Sequence, residues 1–145
     1  MIDMTEIVVN WKALPEIQHW KSLSGYSTKF VQVEAVGKKY LRFVNEEDVE
    51  ISDYLDYVTA AGILKNLLEE LGVSYDTIRA EDGIRIPDKS GEAYVVYGAG
   101  YMNISGIVDG RPSARFEGQS IYYKVGFDKS DLPALRSQKP NWEIM

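Results

Sequence analysis

The segment SDYLDYVTAAGILKNLLEELG, residues 52–72, constrains the fold most. Tyr57, Ala61, Leu64, Leu68 and Leu71 recur at three- and four-residue steps, and Ala60, Ile63 and Leu67 widen the stripe. An apolar face that broad is built to pack against a sheet. Ser52 suits the N-cap, and Asp53 and Asp56 stand where a helix N-terminus favours negative charge. Gly72 then suits a left-handed C-cap.

The helix is flanked by β-type sequence. Residues 4–9, MTEIVV, read as a short strand, and KALPEIQHWKSL, 12–23, as a short helix starting near Pro15. In STKFVQVEAVGKKYLRFV, 27–44, two β-rich runs flank Gly37-Lys38, which suits a two-residue hairpin turn. Val31, Val33 and Ala35 share one face of the first strand, and Phe30, Gln32 and Glu34 the other. After the helix come YDTIRA, IRIP, EAYVVYG, YMNISGIV, SARF and SIYYKVGF, with Asp82-Gly83, Ser90-Gly91, Asp109-Gly110 and Glu117-Gly118 between several of them. The tail from Lys129 reads as turns around Pro133 and Pro140, with Trp142 docking back onto the body.

Strands and helices do not alternate, which disfavours a parallel doubly wound sheet. The order predicts a single α+β domain over residues 1–145: one main amphipathic helix packed on an antiparallel, meander-like sheet. A chain of 145 residues with 45% hydrophobic side chains can bury a core of useful size.

Several chemistries find no support. With no cysteine, the chain has no disulfide, thiolate ligand or cysteine nucleophile, which fits a cytoplasmic setting. The sole histidine, His19, has no companion ligands, so no metal site is expected. YVVYGAGYMNISGIVDGR, 94–111, holds a G-x-G at Gly98 and Gly100. The third glycine of a dinucleotide fingerprint is replaced by Asn103, and no helix start follows, so no nucleotide cofactor is expected. The glycines are instead expected at a bulge or at a connection between two strands. No serine–histidine elbow is present, and catalysis is less expected than binding. The N-terminus lacks the pattern of a signal peptide, and no apolar run approaches the roughly 20 residues that span a bilayer.

Two features point to binding. Ten tyrosines are present, and Tyr94, Tyr97, Tyr101, Tyr122 and Tyr123 crowd the C-terminal strands. Tyrosine offers flat amphipathic area and is enriched at interfaces. The second feature is charge. The net charge is −6, and NEEDVEISDYLD, 45–56, carries six acids and no base. Helix capping accounts for Asp53 and Asp56 but not for Glu46, Glu47, Asp48 and Glu50. Such a run disfavours direct nucleic-acid binding and suits a basic protein surface. The expected function is a non-enzymatic protein-binding module: an acidic inhibitor of a basic nucleic-acid-handling protein, or a subunit of a larger assembly or homo-oligomer. Tyr94, Tyr97, Tyr101, Glu46, Glu47, Asp48 and Glu50 are the expected contacts. The alternative is a small-molecule-binding protein or small enzyme with a tyrosine-lined pocket between helix and sheet.

Overall fold

The computed structural model describes residues 6–14, 26–43, 60–80, 83–108, 111–120 and 123–145. In chain order the strands are β1 (Ile7–Val9), β2 (Tyr26–Ala35), β3 (Lys38–Phe43), β4 (Ile78–Ala80), β5 (Gly83–Arg85), β6 (Lys89–Ser90), β7 (Tyr94–Val108), β8 (Arg111–Glu117) and β9 (Glu143–Ile144). The helices are α1 (Ala60–Leu71) and α2 (Leu132–Gln138), with 3-10 turns at Trp11–Ala13 and Lys129–Asp131. The acidic run with Glu46, Glu47, Asp48 and Glu50, the start expected for the helix at Ser52, and His19 lie outside the described residues.

Seven strands form one curled sheet in the order β1-β3-β2-β7-β8-β9, with β6 on the first part of β7, while β4 and β5 pair separately. This overturns the antiparallel meander. The centre is antiparallel, but β1 joins β3 in parallel and β9 joins β8 in parallel. Parallel neighbours need a crossover. Between β8 and β9 the chain supplies one through a loop, a 3-10 turn and α2. The edge strands have three and two residues, too short to carry a readable alternation. The picture of one main helix also changes, because α2 lies in the tail expected to be turns. Pro133 sits in its first turn, where a missing N–H costs nothing.

The hairpin forms one residue earlier than Gly37-Lys38. Ala35 pairs with Lys38, and the turn residues are Val36 and Gly37, with φ of 47° and 75°. Two positive φ values match the twist of the strands it joins. Glycine adopts them freely, whereas valine is strained there.

The run from Tyr94 to Val108 is a single strand of 15 residues, not two strands joined at the glycines. Its pairing with β2 shifts at Gln32/Val33, opposite Gly98 and Val96. Gly98 and Gly100 therefore lie within β7, beside a bulge. The residues of SIYYKVGF that are described form a tight turn, not a strand. There Lys124 N–H donates to the Ser120 carbonyl at 2.8 Å and Ser120 N–H to the Val125 carbonyl at 3.0 Å.

The sheet carries a core on each face. On the inner face Phe30, Leu41, Phe43, Met102, Ile104 and Phe116 pack with Leu135 of α2. Ile7 of β1 and Ile144 of β9 join the same cluster, so the two ends of the strand order converge on α2. Gln138 Nε2 donates to the Ile7 carbonyl at 2.7 Å and Arg136 Nε to the Ile144 carbonyl at 3.0 Å. The short helix thus bridges the two edges of the curl and satisfies backbone groups on both. On the outer face Ile63, Leu64, Leu67 and Leu68 of α1 cover Val31, Val33, Tyr40, Tyr94, Val96 and Ala99. Among the described residues, no helix is long and apolar enough to cross a membrane.

Candidate functional site

Tyr122 lies outside the described residues, and the described tyrosines of the expected surface divide into three environments. Tyr94 is 1% exposed and donates to the Pro87 carbonyl at 2.8 Å. Tyr123 is also buried and donates to the Ile86 carbonyl at 2.8 Å. These two rings bolt the segment before β6 onto the α1 side of the core. Each hydroxyl satisfies a carbonyl that would otherwise be costly to bury. Tyr94 therefore presents no surface to a partner.

Tyr97 stands at the bulge and reaches the inner face. Its hydroxyl donates to Asp131 Oδ2 at 2.5 Å. Gln32 Nε2 donates to the same oxygen at 2.8 Å, and Lys39 Nζ lies 3.5 Å from Oδ1 and 5.3 Å from the Tyr97 ring centroid. Asp131 is 3% exposed, so this carboxylate is stabilised by its three partners and not by water. Gln32 also grips Asp128: its Oε1 accepts from Asp128 N–H at 2.8 Å and its Nε2 donates to the Asp128 carbonyl at 3.1 Å. Gln32 thereby holds the 3-10 turn before α2 against the sheet.

Gly98 is what allows this grip. A Cβ at that position would fall 1.8 Å from Gln32 Oε1. The glycine of the G-x-G therefore makes room for a glutamine.

Chemically the cluster is quiet. Burial, with the hydrogen bond to Asp131 adding to it, pushes the Tyr97 phenol far above its ordinary value, so the group stays protonated. Ser130 donates to Asp128 through its hydroxyl and its N–H, and holds that carboxyl below the usual range. Every polar arm of Gln32 and Tyr97 is engaged within the fold. The arrangement fits the closure of the curl better than proton transfer. No group of three or more metal-ligating side chains occurs among the described residues.

Tyr101 is different. Its ring is 40% exposed on the outer face, where β7 runs on past the part of the sheet covered by α1. It pairs with Lys29 of β2 on one side and Glu117 of β8 on the other. The next same-face row is Ser27, Asn103 and Arg115. Asn103 Nδ2 donates to Glu117 Oε1, tying the two rows together. The Tyr101 ring lies over Gly118, where a Cβ would come within 2.3 Å of it. Burial lowers the Lys29 ammonium below its ordinary value. The result is a three-strand patch with an aromatic ring at its centre and both signs of charge around it.

Of the expected contacts, the structure thus brings Tyr101 to the surface, places Tyr97 in the polar cluster and buries Tyr94. Lys29, Asn103, Arg115 and Glu117 were not among them. The alternation in YMNIS and SARFE carries part of the signal, since Met102, Ile104, Ala114 and Phe116 face inward. Their neighbours must then face outward.

No protein-family model matches the chain, and neither a curated protein nor a solved structure matches it.

Proposed function

We propose that the chain is a non-catalytic binding module whose working surface is the patch centred on Tyr101. The single observation that carries this reading is the exposed ring in the middle strand of an outer sheet face, flanked across the strands by Lys29 and Glu117. Tyrosine supplies contact area and a hydroxyl while losing little side-chain freedom, as interface anchors do. Rigid strands hold the ring in place before the partner arrives, which lowers the ordering cost of binding.

The partner in this reading is another protein. The patch carries both signs of charge and the chain is net −6, a poor match for a phosphate polymer. The acidic run with Glu46, Glu47, Asp48 and Glu50 adds a preference for a basic surface, on the strength of the sequence. An inhibitor of a basic nucleic-acid-handling protein, a subunit of a larger assembly and self-association are forms of the same proposal. A reducing compartment such as the cytoplasm belongs to it too, since the chain has no cysteine.

The test compares wild type with Tyr101→Ala/Arg115→Glu and, separately, Glu46→Lys/Glu47→Lys in affinity capture from the native host. Tyr101→Ala/Arg115→Glu should lose the captured protein while stability changes by no more than about 0.5 kcal/mol. Capture unchanged by either variant would sink the proposal. A thermal shift of wild type with a metabolite would favour small-molecule binding instead.

A further inference from the structure

Away from the Tyr101 patch, Trp11 and Trp142 meet where the curl closes, and Lys139 reaches the corner between them. Their ring centroids are 5.4 Å apart with planes at 70°. The Lys139 ammonium stands over both rings, 5.3 Å from the Trp11 centroid and 5.5 Å from the Trp142 centroid. Two indole faces converging on one ammonium is the arrangement by which aromatic cages hold alkylammonium groups.

The walls are held by contacts other than that ammonium. Trp11 Nε1 donates to Gln138 Oε1 at 2.9 Å, and its ring packs against Phe43 at 5.8 Å. The Trp142 carbonyl accepts from Arg111 Nη2 at 3.0 Å, and its N–H donates to the Lys139 carbonyl at 3.0 Å. The Lys139 backbone is itself fixed by donation to the Leu135 carbonyl at 3.1 Å. Removing the lysine side chain leaves each of these contacts in place.

We propose that Trp11 and Trp142 form a binding site for a methylammonium group, and that Lys139 is its tethered, resident ligand. A tethered ligand competes at an effective concentration on the order of mM. A free ligand must displace it to enter wild type, which raises the ligand concentration needed for half-occupancy. A quaternary ammonium has the advantage of weaker hydration, so it gives up less on entering the site than a primary ammonium. The site is therefore self-occluded, and it opens to ligands when Lys139 swings out.

The experiment is an NMR titration of the full chain. In wild type, the Lys139 methylene protons next to Nζ should be shifted upfield by the two rings. Tetramethylammonium chloride is then titrated into wild type and Lys139→Gln, with sodium chloride at equal ionic strength as control. Lys139→Gln should show saturable shifts of the Trp11 and Trp142 indole N–H signals at mM concentration. Wild type should need at least about tenfold more, in keeping with the tethered competitor. Choline and a trimethyllysine peptide, run in parallel, separate a free head group from a protein side chain as the source. Unshifted Lys139 protons in wild type would overturn the proposal, as would identical titrations of the two proteins or no saturation in Lys139→Gln. Should the variant not fold, wild type decides: tetramethylammonium must return the Lys139 protons to their ordinary positions, and failure to do so overturns the site.

Discussion

The two faces of the curled sheet come from the same strands and the same alternation, yet they are finished differently. The inner face is closed by the chain itself. Phe116 and Phe127 stack within it, 4.2 Å apart at 12°, and Phe30 meets both rings edge-on. Asp131, Gln32 and Tyr97 then fasten its open end. The outer face is finished over one part by α1 and presents Tyr101 beyond it. The difference teaches where to look for function in a chain with no informative motif. The inner face spends its polar groups on itself, and the outer patch keeps an aromatic ring and charges turned outward.

The contrast can be broken by deleting ring volume. Phe30→Ala should cost about 4 kcal/mol, and Leu68→Ala on the α1 side about 3 kcal/mol, in urea unfolding. A cost below about 1 kcal/mol at Phe30 would mean that the inner face is not a packed core. Next is Gly98→Ala, which should cost about 2 kcal/mol because Gln32 must swing away and leave Asp128 and Asp131 short of partners. In a double-mutant cycle with Gln32→Ala the two costs should be strongly sub-additive. Full additivity would remove the link between the glycine and the glutamine.

A smaller effect is pH-dependent. The folded state holds the Tyr97 proton that the unfolded chain releases near pH 10. The stabilisation is therefore complete below about pH 10 and is lost as pH rises above it. Wild type should lose stability between about pH 10 and 11.5 more steeply than Tyr97→Phe. Parallel slopes would show that Tyr97 is not held neutral. Smallest is a control on the hairpin end. Val36 is 57% exposed and strained at φ 47°, so Val36→Asn should stabilise by about 0.5–1 kcal/mol.

Much of the molecule was legible in sequence, for local reasons. Leu64, Leu67 and Leu68 repeat with helical period, and Gly72 ends that helix with the Val73 N–H reaching the Leu68 carbonyl at 2.9 Å. The face assignment of Val31, Val33 and Ala35 against Phe30 and Gln32 also matches the packing. What was illegible depends on distant partners. Nothing near Gly98 in the chain announces Gln32, 66 residues earlier, or Asp131 beyond it. Nothing in IVV or EI states that these strands will lie parallel to their neighbours. The tyrosines could be counted but not sorted, because the carbonyls of Ile86 and Pro87 decide which of them are buried.

The claim that the outer patch is the working surface is tested most directly by site-specific photocrosslinking in the native host. A benzophenone side chain placed at Tyr101 is compared with one at Val95, which is equally 40% exposed on the same strand but lies away from the patch. Position 101 should give a discrete crosslinked product and position 95 none. Equal products from both positions, or a product from position 95 alone, would contradict the claim.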